Sequence, residues 1–559
     1  MTKLALAIAA LLCLAAAATN LPAKPGLLGP ADRTAAAVIR AEALRGRIRF
    51  LASDLLEGRG PATRGDSLAQ EYIASEMEAI GLQPAGEDGT YVQPFDVVGV
   101  RTARPDTLVL SRGGERLVLK FDQEFVAASG NEEAEGRLES AEIVFVGYGI
   151  QAPEYRWDDY KGLDVRGKVL LMMNNDPEDD PALFEGKKRL YYGRWTYKYE
   201  MAARLGAAGA LIIHTDASAG YGWKVIQSGW EGERFVLPKA GVPELVMQGW
   251  LTDDASRRLA RLGDQDLDRL RAAAERRDFR PVPLGVTLSL ALENEVSHKR
   301  TANVLGRLPG RDPLLKDEVV IYTAHHDHLG VNANAKPGED AIYNGAHDNA
   351  SGVAAILNVA EAFEALPERP RRTVVFAAVG AEEQGLLGSE YLAQHPPVPV
   401  GRIAADINVD GINIFGRTRD ITMIGLGKSD LDERVRALAA AQGRVVAGDQ
   451  YPDKGFFYRS DQFNFAKLGV PSAYFDDGTD VIGRPPGWGK ERQTEYEERH
   501  YHQPSDELTP DWDFAGAVED VRLCFHLGAQ VANAARMPEW RPGDEFEAAR
   551  KRALAASGR

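Results

Sequence analysis

Three short apolar runs rich in β-forming residues stand out in the second half of the chain, and each leads to a polar residue. Residues 319–324 run straight into His325, residues 373–378 run towards Glu382, and residues 403–409 run into Asp410. Unbroken apolar runs of this length read as strands buried on both faces. Between the first two lies a helical pattern, Val353, Ile356, Leu357, Ala360 and Phe363, opened by the turn Asn349-Ala350-Ser351-Gly352 with its capping residue types. Alternating strands and helices predict an α/β fold with a mostly parallel central sheet flanked by helices. In such sheets, sites form at the carboxyl ends of strands.

The texture differs upstream. Helical runs fall around residues 41–55 and 67–80. From about 100 to 290 short strands (108–110, 117–121, 143–149, 168–172 and 210–213) are set among glycines, with a helix near 199–205. Residues 253–277 are charged and helix-prone, which suits a solvated face. The aromatic stretch 191–199 suits a core or an interface, with a substrate lid as the alternative. A chain of 559 residues is too long for one core and implies two or three domains.

Residues 1–18, with Lys3, an apolar run over 4–14 and then alanines, read as a secretory signal peptide. The run is too short to span a membrane, and no later segment reaches spanning length. Leu12 precedes Cys13 where a lipoprotein signal prefers a small residue, so lipid anchoring is not expected. Removal of the signal leaves Cys524 as the only cysteine, which excludes an intrachain disulfide. The expected location is periplasmic or secreted, in a bacterium. A net charge of −16 and a pI near 5.3 argue against nucleic acid or anionic membrane as partners.

The chemistry gathers in five segments: His325-His326-Asp327, Asp348 to Gly352, Glu382-Glu383, Asn408-Val409-Asp410 and Tyr501-His502. Zinc takes imidazole and carboxylate ligands, and a two-metal site needs both ions held with open positions. One histidine and one carboxylate per ion plus a shared carboxylate uses five ligands. Asp348 is assigned as the bridge, His325 and Asp410 to one zinc, and Glu383 and His502 to the other. Glu382 is left over as general base, because neighbouring side chains of an extended segment diverge. Asp327 is placed to orient a ligand histidine through its second nitrogen.

At these residues the chain resembles the co-catalytic di-zinc aminopeptidases, metallopeptidase family twenty-eight. The matching stretches run from Thr323 to Gly330, Asn344 to Gly352 and Gly380 to Ser389, and continue with Asn408-Val409-Asp410, Arg459-Ser460-Asp461 and Tyr501-His502. They cover roughly residues 295–540. The resemblance implies a cis peptide at Asn349, a Tyr501 hydroxyl that meets the scissile carbonyl as it becomes an oxyanion, and Arg459 near the bound substrate. His347 and Gln462 depart from common family residues at positions that bear on specificity. Residues 100–290 look like a protease-associated domain inserted between an amino-terminal part of the peptidase (35–99) and its main part (291–540), with a tail over 541–559.

The activity expected from the resemblance is removal of amino-terminal residues from peptides, with two zinc ions per chain. Arg459 is the only cation that the motifs locate. A carboxypeptidase or dipeptidase of the same fold would need a cationic pocket for a terminal carboxylate. A glutaminyl cyclase-like transferase would use one zinc, and a non-catalytic relative should have lost ligands.

Overall fold

The computed structural model describes residues 29–558 apart from 231, 239, 240, 242, 333 and 334, so the signal-peptide segment and Cys13 lie outside the described residues. Four parallel strands lie side by side at the centre, in the order Thr373–Val379, Val319–His325, Ile403–Val409 and Ser472–Asp476. Their flanks are antiparallel. The end of Val282–Leu308 pairs with Thr373–Val379 on one side, and Asp420–Ile424 pairs with Ser472–Asp476 on the other, with Val445–Gly448 beyond it. The sheet is therefore mixed α/β, with a parallel centre where apolar runs are longest.

Strand alternation explains why those runs are apolar throughout. Val320, Tyr322 and Ala324, with Val374, Phe376 and Ala378, face a core built with helices Ala41–Leu51, Arg64–Ile80, Ser351–Glu364 and Ala515–Asn533. Val319 and Ile321, with Val375, Ala377 and Val379, face the opposite core, which contains Leu392 of helix Leu387–Gln394 and Phe465 of Gln462–Lys467. Both faces are covered, so neither can be polar. Phe376 stacks on Tyr322 with ring centroids 5.3 Å apart, and truncating a phenylalanine packed like this costs about 3–5 kcal/mol. Tyr322 reaches the carbonyl of Cys524 at 2.8 Å because Gly528 leaves room, since a Cβ there would lie 1.8 Å from the tyrosine oxygen.

Val282–Leu308 is one strand in two sheets. Residues 294–304 form an antiparallel ribbon with Val92–Thr102, whereas residues 282–293 pair with Glu135–Phe145 and Thr107–Arg112 in a second sheet. There Glu135–Phe145, Val169–Met173, Gly209–His214 and Leu245–Thr252 run parallel, edged by the antiparallel Phe125–Gly130. Two details differ from the sequence reading. The helix expected near 199–205 is Trp195–Arg204, and the charged run over 253–277 breaks into Asp253–Leu262 and Leu267–Ala274, with Asp264 at φ 54° between them. The tail over 541–559 is docked through helix Glu547–Ala556, where buried Arg550 donates to the Ile403 carbonyl at 2.9 Å, at the start of a core strand.

The second sheet's core leans on the first unit. Its apolar cluster takes in Phe457, Tyr458 and Phe463, and Tyr191 meets Phe463 with centroids 5.0 Å apart. Tyr197 and Tyr199 are buried, with Tyr199 donating to the Gly249 carbonyl at 2.8 Å. The aromatic stretch is thus mainly core and interface.

Candidate functional site

His325 ends its strand, Asp410 follows directly on Val409, and Glu382-Glu383 follow Val379 after Gly380 and Ala381. These strands are adjacent, so their ends meet on one rim. Asp348 comes from the turn before Ser351–Glu364, and His502 from the turn after Trp488–Arg499. The peptide between Asp348 and Asn349 is cis.

Asp348 lies between the two histidines. Its Oδ1 is 3.1 Å from His325 Nε2, and its Oδ2 is 3.1 Å from His502 Nε2. Each Nε2 has a second carboxylate oxygen at a similar distance, Asp410 Oδ1 at 3.2 Å for His325 and Glu383 Oε2 at 3.1 Å for His502. A single ring proton cannot serve two acceptors equally well. Two ligand atoms on one tetrahedral zinc lie about 3.3 Å apart, given metal–ligand bonds of about 2.0–2.1 Å. Spacing and donor types therefore fit zinc at both positions.

The charges agree. Burial would strip the proton from His325, yet Glu382, Asp410 and Asp348 hold it protonated well above the histidine range, and Glu383 and Asp348 do the same for His502. Burial also opposes ionisation of Asp348 and Glu383, but the histidines keep Asp348 well below the usual carboxylate range and Glu383 at about 2. Glu382 goes the other way, raised well above its ordinary value by burial and by Glu383, Asp461 and Asp410. So much buried negative charge is a setting that divalent cations would neutralise.

Glu382 Oε2 lies 3.9 Å from His325 Nε2, close to the cluster but outside its paired donors. Asp327 meets the second nitrogen of His325 through its backbone rather than its side chain. His325 Nδ1 is 3.2 Å from the Asp327 backbone carbonyl and 3.8 Å from its carboxylate. That carboxylate instead accepts from the backbone N–H of Glu382 and of Glu383, at 3.0 and 3.3 Å. It thereby aims both glutamates. Tyr501 is 39% exposed and stacks on His502 with centroids 3.9 Å apart. Surrounding protein, then Asp348 and Glu383, raise its hydroxyl above the tyrosine range, so it stays a donor. Arg459 is exposed, with its guanidinium over the Phe456 ring at 5.2 Å.

Several residues were not legible from the motifs. His328 is fully buried, with Nδ1 2.7 Å from Glu383 Oε1, and forms a second candidate metal group with Asp348 and Glu383. Its place in the quoted histidine-rich stretch was the available signal. Asp506 accepts from the Asp348 N–H at 3.1 Å and from the His347 N–H at 3.0 Å, fixing the turn that carries the shared carboxylate. Arg59 is buried and donates to the carbonyls of His326, Asn344 and Gly345 at 2.7–2.9 Å, tying two ligand loops together. Nothing in the sequence marks it.

The two departures from the family pattern sit behind the ligands. Gln462 is buried and accepts from Asn408 Nδ2 at 2.9 Å, while Ser460 Oγ donates to Asp410 Oδ2 at 2.6 Å. His347 packs against Tyr496, centroids 4.6 Å apart, and against Gly411.

Comparison with known proteins places this geometry in context. Residues 303–525 match the model of Peptidase family M28. Aminopeptidase NAALADL1 of Mus musculus is 33% identical over 138 residues, 24% of this chain and 16% of that protein. A probable zinc metalloprotease of Pyricularia oryzae is 36% identical over 114 residues, 20% of each chain. The chain thus spans between a sixth and a fifth of the length of these two curated relatives. Among solved structures, the aminopeptidase from Aneurinibacillus sp. strain AM-1 aligns over 91% of this chain and 97% of its own, with 21% identity and a TM-score of 0.49.

Proposed function

We propose, from the match of residues 303–525 to the model of Peptidase family M28, that the protein is a zinc-dependent exopeptidase that removes amino-terminal residues from peptides. The observation that carries this reading is the shared Asp348, whose two oxygens each face a different histidine, with Glu382 Oε2 set back at 3.9 Å from His325 Nε2. His325 and Asp410 would hold one ion, Glu383 and His502 the other, with Asp348 between them. Bound zinc would supply Lewis acidity and a lowered pKa for water at the site.

The chain's own groups do the rest. Glu382 takes a proton from the attacking water and passes it to the leaving amine. Tyr501 donates to the scissile carbonyl oxygen as negative charge builds there. Asp327 keeps the two glutamates in register through their backbone N–H groups. The carboxylates round the site suit a substrate ammonium.

Residues 100–290 are read as an inserted protease-associated domain that limits access. Support comes from a separate sheet joined through one ribbon, and from the lean of its core onto Phe457 and Phe463. The readings of residues 1–18 as a signal peptide and of a periplasmic or secreted location rest on the sequence pattern. No helix among the described residues is long and apolar enough to cross a membrane.

Carboxypeptidase or dipeptidase action is the second reading, favoured by exposed Arg459, whose guanidinium lies over the Phe456 ring at 5.2 Å. Matched peptides, one N-acetylated and one C-amidated, decide the direction. Cleavage of the amidated peptide alone is expected. Cleavage of the acetylated peptide alone would replace the aminopeptidase reading with the carboxypeptidase one.

A further inference from the structure

His326 stands between ligand His325 and Asp327, and the mechanism gives it no part. Its side chain is fully buried. The backbone N–H donates to the Val379 carbonyl at 2.9 Å, at the end of the strand that leads to Glu382, and the backbone carbonyl accepts from Arg59 Nε at 2.8 Å. Ring Nε2 lies 3.0 Å from Asp66 Oδ1, whereas Nδ1 is closed off with no hydrogen-bond partner among the described residues. Asp66 is therefore the single polar anchor of the imidazole.

Asp66 comes from the first turn of helix Arg64–Ile80, more than 250 residues away in sequence, and is 1% exposed. Its two oxygens serve different ends. Oδ2 accepts from the Ala62 N–H at 2.8 Å and from Thr301 Oγ1 at 2.6 Å, which fastens the helix start to the strand Val282–Leu308 and leaves Oδ1 for His326. Holding the helix start needs only the first oxygen. On its other side the imidazole lies against Gly380, two residues before Glu382. A Cβ at residue 380 would lie 3.1 Å from His326 Cε1 and 2.9 Å from the Ala302 carbonyl oxygen, so glycine lets the ring settle on this loop. The ring is thus a spacer with Asp66 behind it, the glutamate loop in front, and ligand His325 one residue away. An apolar side chain of similar volume would fill the space without desolvating a carboxylate. What the hydrogen bond adds is a fixed ring direction, and supports of this kind hold reacting groups within about 0.5 Å of a productive geometry.

We propose that Asp66 is a positioning residue for the peptidase reaction: through the His326 ring it sets the spacing between the loop of ligand His325 and the loop of Glu382 and Glu383. This deepens the exopeptidase reading and rests on it. Neither Asp66 nor His326 belongs to the ligand set, and both act on the groups that do. Loss of their contact lets the two loops shift against one another, which weakens zinc retention and slows the chemical step while KM stays nearly unchanged.

Asp66→Asn, His326→Phe and the double variant of the full-length protein test this, with zinc affinity read by competition with a chelating dye and with kcat and KM read on Leu-Ala-amide. Zinc affinity and kcat should each fall about tenfold in both single variants, in the range for partners that orient a ligand from behind, with KM nearly unchanged. The double variant should fall no further than the weaker single one, because both substitutions remove the same contact. A carboxylate that only holds the helix start behaves differently: Asp66→Asn would lower the melting temperature, while zinc affinity and kcat of the folded protein would equal wild type in both single variants. That result, or losses that multiply in the double variant, overturns the proposal and leaves the exopeptidase reading intact. Should Asp66→Asn fail to fold, His326→Phe, which leaves the Ala62 and Thr301 contacts of Asp66 in place, carries the comparison. If the wild type does not cleave peptides, the exopeptidase reading fails instead and zinc affinity alone decides: an about tenfold loss supports the brace, and equal affinity overturns it.

Discussion

The two sides of the candidate site are built on opposite principles. On the side of the histidines and carboxylates the groups brace one another: Asp348 meets two histidines, Ser460 supports Asp410, Asp327 holds the backbone of both glutamates, and Asp506 holds the turn of Asp348. On the side facing the second sheet Arg459 is exposed over the Phe456 ring, and the Nε atoms of Arg189 and Arg194 are closed off without a hydrogen-bond partner among the described residues. The first side comes from strand ends of one sheet. The second is assembled where the loops before helix Trp195–Arg204 dock on residues 452–463. A fully braced constellation suits chemistry, which tolerates little displacement, whereas unpaired cations suit an exchangeable ligand.

Substitutions sharpen that contrast, beginning where the effect should be largest. Glu382→Gln should lower kcat by at least about 100-fold, as for loss of a general base, and should retain its metal by elemental analysis. Glu383→Ala should lose metal as well as activity. Near-wild-type turnover in Glu382→Gln would make both glutamates part of the metal-binding scaffold and remove the base assignment.

Asp506→Asn comes next. It should weaken metal affinity by about 10–100-fold, in the range for a group that orients a ligand from behind, measured by competition with a chelating dye. Affinity equal to wild type would show that the turn of Asp348 holds itself. Tyr501→Phe should cost about tenfold in kcat with little change in KM, because an oxyanion contact strengthens only in the transition state. A rise in KM alone would move Tyr501 to the recognition side, beside Arg459.

The same contrast explains what could be read from the chain. Val319 to His325 announces itself because a strand buried on both faces must be apolar until it reaches the rim, where polarity returns at the ligand. Asp348 and Glu382-Glu383 follow the same logic through their helix start and strand end. Arg59, Asp506 and Arg194 had no such frame. Arg59 reaches the carbonyls of His326 and Asn344 from more than 260 residues away in sequence, and Arg194 sits in an aromatic run whose periodicity reports only its own burial. Long-range docking assembled them, and local patterning does not encode it. Asp327 was legible as a positioning group for the second nitrogen of a ligand histidine, whereas its division of labour was not: the backbone carbonyl reaches His325 Nδ1 at 3.2 Å and the carboxylate is left for the glutamate N–H groups.

The central claim is that the shared Asp348 organises two metal positions and that activity depends on them. Metal content of the purified protein, counted while a chelator is titrated against peptidase rate, tests it most directly. Two ions per chain are expected, one held by His325 and Asp410 and the other by Glu383 and His502 with Asp348 shared, and activity should be lost on chelation and restored by zinc. Full activity in a protein with no bound metal would contradict it.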